Sequence, residues 1–169
     1  MKNLRTYINE DFKISKNTNI KRKIMTPLTL RNLIVERYKE NSEHIDMRDI
    51  DVSELRNFCF GTMEEITYGL FANLSQVKTI DIRGWNTSSA IKMTEMFSGC
   101  IELEKIKGIE NFDVSNVKNM SRMFEGCIKL NVDLSAWKPN YNKLERVTDM
   151  FNGTKIEYPR WYAEYILLR

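Results

Sequence analysis

Histidine is nearly missing from this sequence: His44 is the only one in 169 residues. A single imidazole leaves little room for Ser-His or Cys-His nucleophile chemistry and none for a multi-histidine metal centre. Cysteine is also scarce. Cys59, Cys100 and Cys127 form no CxxC pair, so neither a disulfide framework nor a zinc site is expected. No apolar run approaches the roughly 18 residues that would suggest a bilayer-spanning helix. The start, MKNLRTYINEDFKI, lacks an apolar h-region and a small-residue cleavage site, so no secretory signal is read there. The expected location is therefore intracellular. Charge of one sign is lacking too: the formal net charge is +3, too small to imply a nucleic-acid partner. There is no Gly-rich phosphate loop and no nucleophile elbow. These absences together predict a non-enzyme with no cofactor and no metal.

What the chain has instead is internal repetition. NTSSAIKMTEMFSGCIELEKI (86–106) aligns without a gap on DVSNVKNMSRMFEGCIKLNVDL (113–134), with Met96-Phe97 over Met123-Phe124 and Gly99-Cys100 over Gly126-Cys127. LERVTDMFNGTKIEYP (144–159) continues the series with Met150-Phe151, and ITYGLFANLSQVKTIDI (66–82) precedes it with Leu70-Phe71. Phe71, Phe97, Phe124 and Phe151 are spaced 26, 27 and 27 residues apart, and Trp85, Phe112, Trp137 and Trp161 form a looser second aromatic series.

Within one unit, Ser115 reads as an N-cap, and Val117, Met120, Met123 and Phe124 fall at helical spacing for about two turns. Gly126 would end this short helix. KTIDI, EKIKGI and NVDL alternate like short half-buried strands. No unit can cover its own apolar face, so neighbours must stack. The expected fold is thus α/β: a leucine-rich-repeat-like solenoid of about four helix-turn-strand units, with short parallel strands and an N-terminal capping helix. Cysteine shares its column with Leu74 and Thr154, a substitution pattern that favours packing over metal or redox chemistry for Cys100 and Cys127.

The pattern D-V-S-x-V-x-x-M-x-x-M-F-x-G-C-x-x-L stands complete at Asp113 to Leu130 and slightly degraded at Asn86 to Leu103. It resembles the BspA-like leucine-rich repeat proteins, whose repeat is also known from mycoplasma lipoproteins. The resemblance covers about residues 50 to 162. It implies a fold devoted to protein interaction, with no shared catalytic residues. Members are often surface proteins or adhesins, many from gut bacteria and their phages. The opening MKNLRTYINEDFKISKNTNI also resembles short leaders on proteins of phages of gut Bacteroidota, which implies a phage-encoded, virion-associated alternative.

The expected organisation is a basic polar arm over 1–24, a capping helix and linker over 25–49, the repeats over 50–162, and a C-terminal cap over 159–169. TPLTLRNLIVERYKEN (26–41) supports the capping helix, with Thr26 as N-cap and Pro27 at the first helical position. In the arm, Tyr7, Ile8 and Phe12 are candidates for docking onto a partner that orders it. On the outer side of the strands, Lys78, Asp81, Arg83, Lys105, Lys107 and Asp133 are the candidate partner-binding residues. The functional expectation is a non-catalytic protein-protein interaction module. The alternative is a phage assembly or host-takeover protein directed by its arm. Asp81, Asp133 and Asp113 are the only carboxylates that suggest an enzyme, and they recur at repeat positions as structural residues do. Neither the partner's identity nor the oligomeric state is encoded legibly.

Overall fold

The computed structural model describes residues 21–60 and 68–169. Strand β1 (Arg22–Lys23) leads to helix α1 (Pro27–Glu40) and then to β2 (His44–Asp46) and β3 (Ile50–Asp51). β4 (Cys59–Phe60), β5 (Tyr68–Gly69), β6 (Thr79–Asp81) and β7 (Lys105–Lys107) follow, and helix α2 (Arg160–Leu167) closes the chain. β2, β6 and β7 form a parallel three-stranded sheet in the order β2-β6-β7. β1 pairs parallel with β3, and β4 antiparallel with β5.

α1 begins as its residues dictate. Thr26 Oγ1 accepts from the Thr29 N–H at 3.2 Å, and Pro27 occupies the first turn, where its missing N–H costs nothing. Leu30, Leu33 and Ile34 turn inward at helical spacing. The Arg31 guanidinium donates to the Leu70 and Ala72 carbonyls at 2.7 and 3.1 Å, fastening the helix to the repeats.

The expected solenoid of four helix-turn-strand units is corrected by this architecture. The protein is mixed α/β, with two α-helices among the described residues, one before the repeats and one at their C-terminal end, and small parallel and antiparallel sheets. The methionine segments are successive turns. Met96 N–H bonds back to Met93, Cys100 to Phe97 and Leu103 to Cys100, each three residues earlier. Alternate N–H groups leave the unit altogether: Met93, Glu95, Phe97 and Gly99 donate to Asn119, Ser121, Met123 and Glu125 at 2.8–3.0 Å. An α-helix would need those donors for its own i−4 carbonyls, and two turns are too short to outcompete the interlayer bonds. Glu95, Arg122 and Asp149 also sit at φ 54–55°, in the left-handed region that interrupts a right-handed helix. A three-residue turn repeated along the chain buries every third residue, which is why Ala90, Met93 and Met96 imitate a helical stripe. Ser115 is not a cap: its own N–H donates to Asp113 Oδ1 at 2.9 Å. The expected strand at NVDL is absent as well, since residues 131–134 take no strand pairing.

The aromatic columns carry the core. Phe71, Phe97, Phe124 and Phe151 stack ring on ring, with centroids 5.2, 5.6 and 6.0 Å apart and the last two pairs within 3° of parallel. Beside them, Trp85 Nε1 donates to the Met47 carbonyl, Trp137 Nε1 to Ile109 and Trp161 Nε1 to Leu134, at 2.9–3.0 Å. Each indole thus satisfies its one polar atom on the preceding layer. Trp161 and Tyr165 of α2 bury against the last layer, with Trp161 6.2 Å from Trp137. The other side of α2 leaves Ile166, Leu167 and Leu168 exposed.

Candidate functional site

In the β2-β6-β7 sheet, Ile45, Ile80 and Ile106 lie side by side in register and are buried. Period-two alternation sends their neighbours to the outer face. Four of the six candidate residues belong to this neighbourhood directly: Asp81 ends β6, Lys105 and Lys107 bracket β7, and Lys78 precedes β6. Arg83 joins them through Asp81.

The Asp81 carboxylate accepts from the Arg83 guanidinium at 2.7 and 3.0 Å and from the Arg83 backbone N–H at 3.2 Å. Arg48 Nε lies 3.6 Å from the same carboxylate. One strand away, Asp46 and Arg48 repeat the arrangement, with guanidinium contacts at 2.6 and 3.0 Å. Hydrogen bonding by Arg83 holds the Asp81 carboxyl below the usual carboxylate range, and Arg48 does the same to Asp46. Lys78 is engaged by Glu43 at 2.9 Å. By contrast, no described carboxylate lies within ion-pairing distance of Lys105 or Lys107.

Asp133 is not brought into this face. It is exposed in the segment after Leu130, where its Oδ1 accepts from the Ser135 N–H at 2.8 Å. Asp113 occupies the equivalent turn before Ser115. The Ser135 and Ser115 hydrogen bonds depress both carboxyls. Asp81, Asp113 and Asp133 are therefore three separately satisfied carboxylates.

The sequence reading missed Glu43, Asp46 and Arg48. Their signal was a second interval. Ile45-Asp46-Met47-Arg48 repeats as Ile80-Asp81-Ile82-Arg83, 35 residues later, and β2 pairs with β6 at that same offset. The first layer is thus residues 44–60, set apart from the 27-residue rhythm by the extra length around 61–67.

The thiols point inward. Cys100 Sγ donates to the Phe71 carbonyl at 3.0 Å and Cys127 Sγ to Phe97 at 3.1 Å, each reaching the layer before. Burial pushes the Cys100 thiol up to about 12 and raises those of Cys127 and Cys59 as well. Tyr7, Ile8 and Phe12 lie outside the described residues. Of the arm, Lys21 to Ile24 are described: β1 pairs with β3, and Ile24 is buried. No described helix is long and apolar enough to cross a membrane.

Residues 62–158 match a family described as Mycoplasma protein of unknown function, DUF285. No curated protein and no solved structure matches the chain.

Proposed function

The chain belongs to this mycoplasma-type DUF285 family, and on that premise we propose that it is a non-catalytic protein-binding module of BspA-like character, working through the outer face of the β2-β6-β7 sheet. The observation that carries this reading is the contrast within that face. Asp46, Arg48, Asp81 and Arg83 neutralise one another across two strands, which fixes their geometry, whereas Lys105 and Lys107 on the outermost strand keep their charge uncompensated among the described residues. A rigid, mixed-charge patch ending in two cations would select a partner by charge complementarity, contributing orientation and on-rate. Main-chain bonds to β6 hold the two lysines about two strand residues apart, so little conformational entropy is lost from the backbone on binding.

The test is affinity capture with three baits: the full chain, a Lys105→Glu/Lys107→Glu version, and a version lacking residues 1–20. The truncation stops at 20 because residues 21–24 dock onto the body. A partner kept by the truncation and lost by the charge reversal supports the sheet face. A partner insensitive to the reversal but lost with residues 1–20 refutes it, and favours the alternative of a phage or host-directed protein guided by its N-terminal arm.

A further inference from the structure

A second surface, sharing no residue with the sheet face, runs across the same layers. Single parallel bridges join Asn57 to Lys92, Lys92 to Asn119 and Asn119 to Arg146. Backbone bonds tie these steps together: the Ile91 N–H donates to the Arg56 carbonyl at 2.7 Å, Lys118 to Ile91 and Glu145 to Lys118 at 2.8 Å. Above this floor opens a groove of about 550 Å³, lined from four consecutive layers by Glu54 and Arg56, Ser88 and Ile91, Asn116 and Lys118, and Lys143.

Its charges are unevenly spent. Both nearby carboxylates are already held by lysines, Glu54 by Lys23 and Glu145 by Lys118, the latter at 3.1 Å. Among the described residues Lys143 Nζ donates only to the neutral Asn116 Oδ1, at 2.6 Å, and Asn116 Nδ2 donates onward to the Ser88 carbonyl at 2.9 Å. This chain orients the Lys143 ammonium without cancelling it. The Arg56 side chain is exposed and has no ion pair among the described residues. Two cations at opposite ends of a groove, with serine hydroxyls and a half-buried isoleucine between them, are a receptor for a chain bearing separated anions.

We propose that this groove binds an extended acidic peptide segment of a partner protein, with Arg56 and Lys143 each taking one carboxylate. The spacing follows from the fold. Three interlayer steps of about 4.8 Å separate the two cations' backbones, roughly 14 Å, and Lys143 leans back toward Asn116, which shortens the gap. An extended peptide advances about 3.3 Å per residue, so the two acids belong three to four residues apart. A nucleic-acid strand fits less well. Glu54 and Glu145 would oppose a uniformly charged backbone, and among the described residues no aromatic side chain lines the groove to stack on bases.

Fluorescence anisotropy with the full chain decides the matter. The probes are a labelled Ser/Gly peptide of about eight residues carrying two glutamates four apart, the same peptide with two lysines, and an oligothymidine of about ten nucleotides. The diglutamate peptide should bind, weakening about tenfold or more in Arg56→Ala and in Lys143→Ala, as loss of a charged hydrogen bond requires. Lys105→Glu/Lys107→Glu should bind it as the parent does, which separates this groove from the sheet face. Unchanged circular dichroism and thermal midpoints confirm that the variants fold. Equal binding of the diglutamate and dilysine peptides, no effect of either alanine variant, or tighter binding of the oligonucleotide would each overturn the proposal.

Discussion

Replacing Phe124 by alanine is the most searching test of the core. Phe124 is fully buried at the middle of the ring stack, 5.6 Å from Phe97, 6.0 Å from Phe151 and 6.4 Å from Trp137. Deleting a buried benzyl group ordinarily costs about 3–5 kcal/mol, the spread reflecting how far the site can collapse. Here it is poorly placed to collapse. The Phe97 N–H is held to Met123 at 2.9 Å and the Phe124 N–H to Met150 at 3.0 Å, so the flanking rings cannot close the gap without breaking interlayer bonds. Two parallel ring pairs are also lost, each worth about 0.5–1.5 kcal/mol beyond area burial. The expectation is therefore the upper part of the range, about 4–5 kcal/mol. For a chain of this size that lowers the thermal midpoint by roughly 10–20 °C. Phe124→Leu, which keeps most of the volume, should lose only about 1–2 kcal/mol. Urea unfolding followed by tryptophan fluorescence measures both. A loss below about 1.5 kcal/mol for the alanine variant, or equal losses for alanine and leucine, would refute the ring stack as the axis of the core.

Further outcomes follow from the same geometry. Gly126 has φ 72°, and a Cβ there would meet only ordinary contacts with Gly99, so Gly126→Ala should cost about 1–2 kcal/mol from backbone conformation alone, read as a shifted urea midpoint. Trp137→Phe removes the indole N–H from the Ile109 carbonyl, which keeps its second donor, the Phe112 N–H at 3.2 Å, so the expected loss is that of one net hydrogen bond, about 0.5–1.5 kcal/mol beyond the small change in size. Cys100 and Cys127, fully buried with raised pKa values, should resist a thiol-specific disulfide reagent at pH 8 until denaturant is added; rapid labelling of the native protein would contradict their placement. The depressed carboxyls of Asp46, Asp81, Asp113 and Asp133 mean that the folded state binds fewer protons than the unfolded one near pH 3–4. Their contribution is present above the unfolded carboxylate pKa and is lost as pH falls through the lower folded values, so urea midpoints should drop between about pH 5 and 2. Asp81→Asn should flatten that slope.

The repeat family, the buried columns and the start of the first helix were open to reading from the residues. Methionine, phenylalanine and cysteine recur in columns, and the Thr26-Pro27 start of α1 carries its own capping chemistry. The strands at Thr79–Asp81 and Lys105–Lys107 announce themselves by alternation. No α-helix forms in the methionine segments among the described residues, because apolar residues three apart satisfy a chain of three-residue turns as readily as two turns of helix. Only the carbonyls of the next layer, absent from any local reading, decide between them. The same is true of both surfaces. Asp133 shares a turn pattern with Asp81 yet stays outside the sheet, since the segment after Leu130 makes no strand. Arg56 reaches the groove only because its layer stacks on one beginning 35 residues later. Period and burial are properties of each residue's chemistry and were set by the sequence alone. Which donor meets which acceptor depends on the distance between layers, and that was decided only when the layers closed on one another.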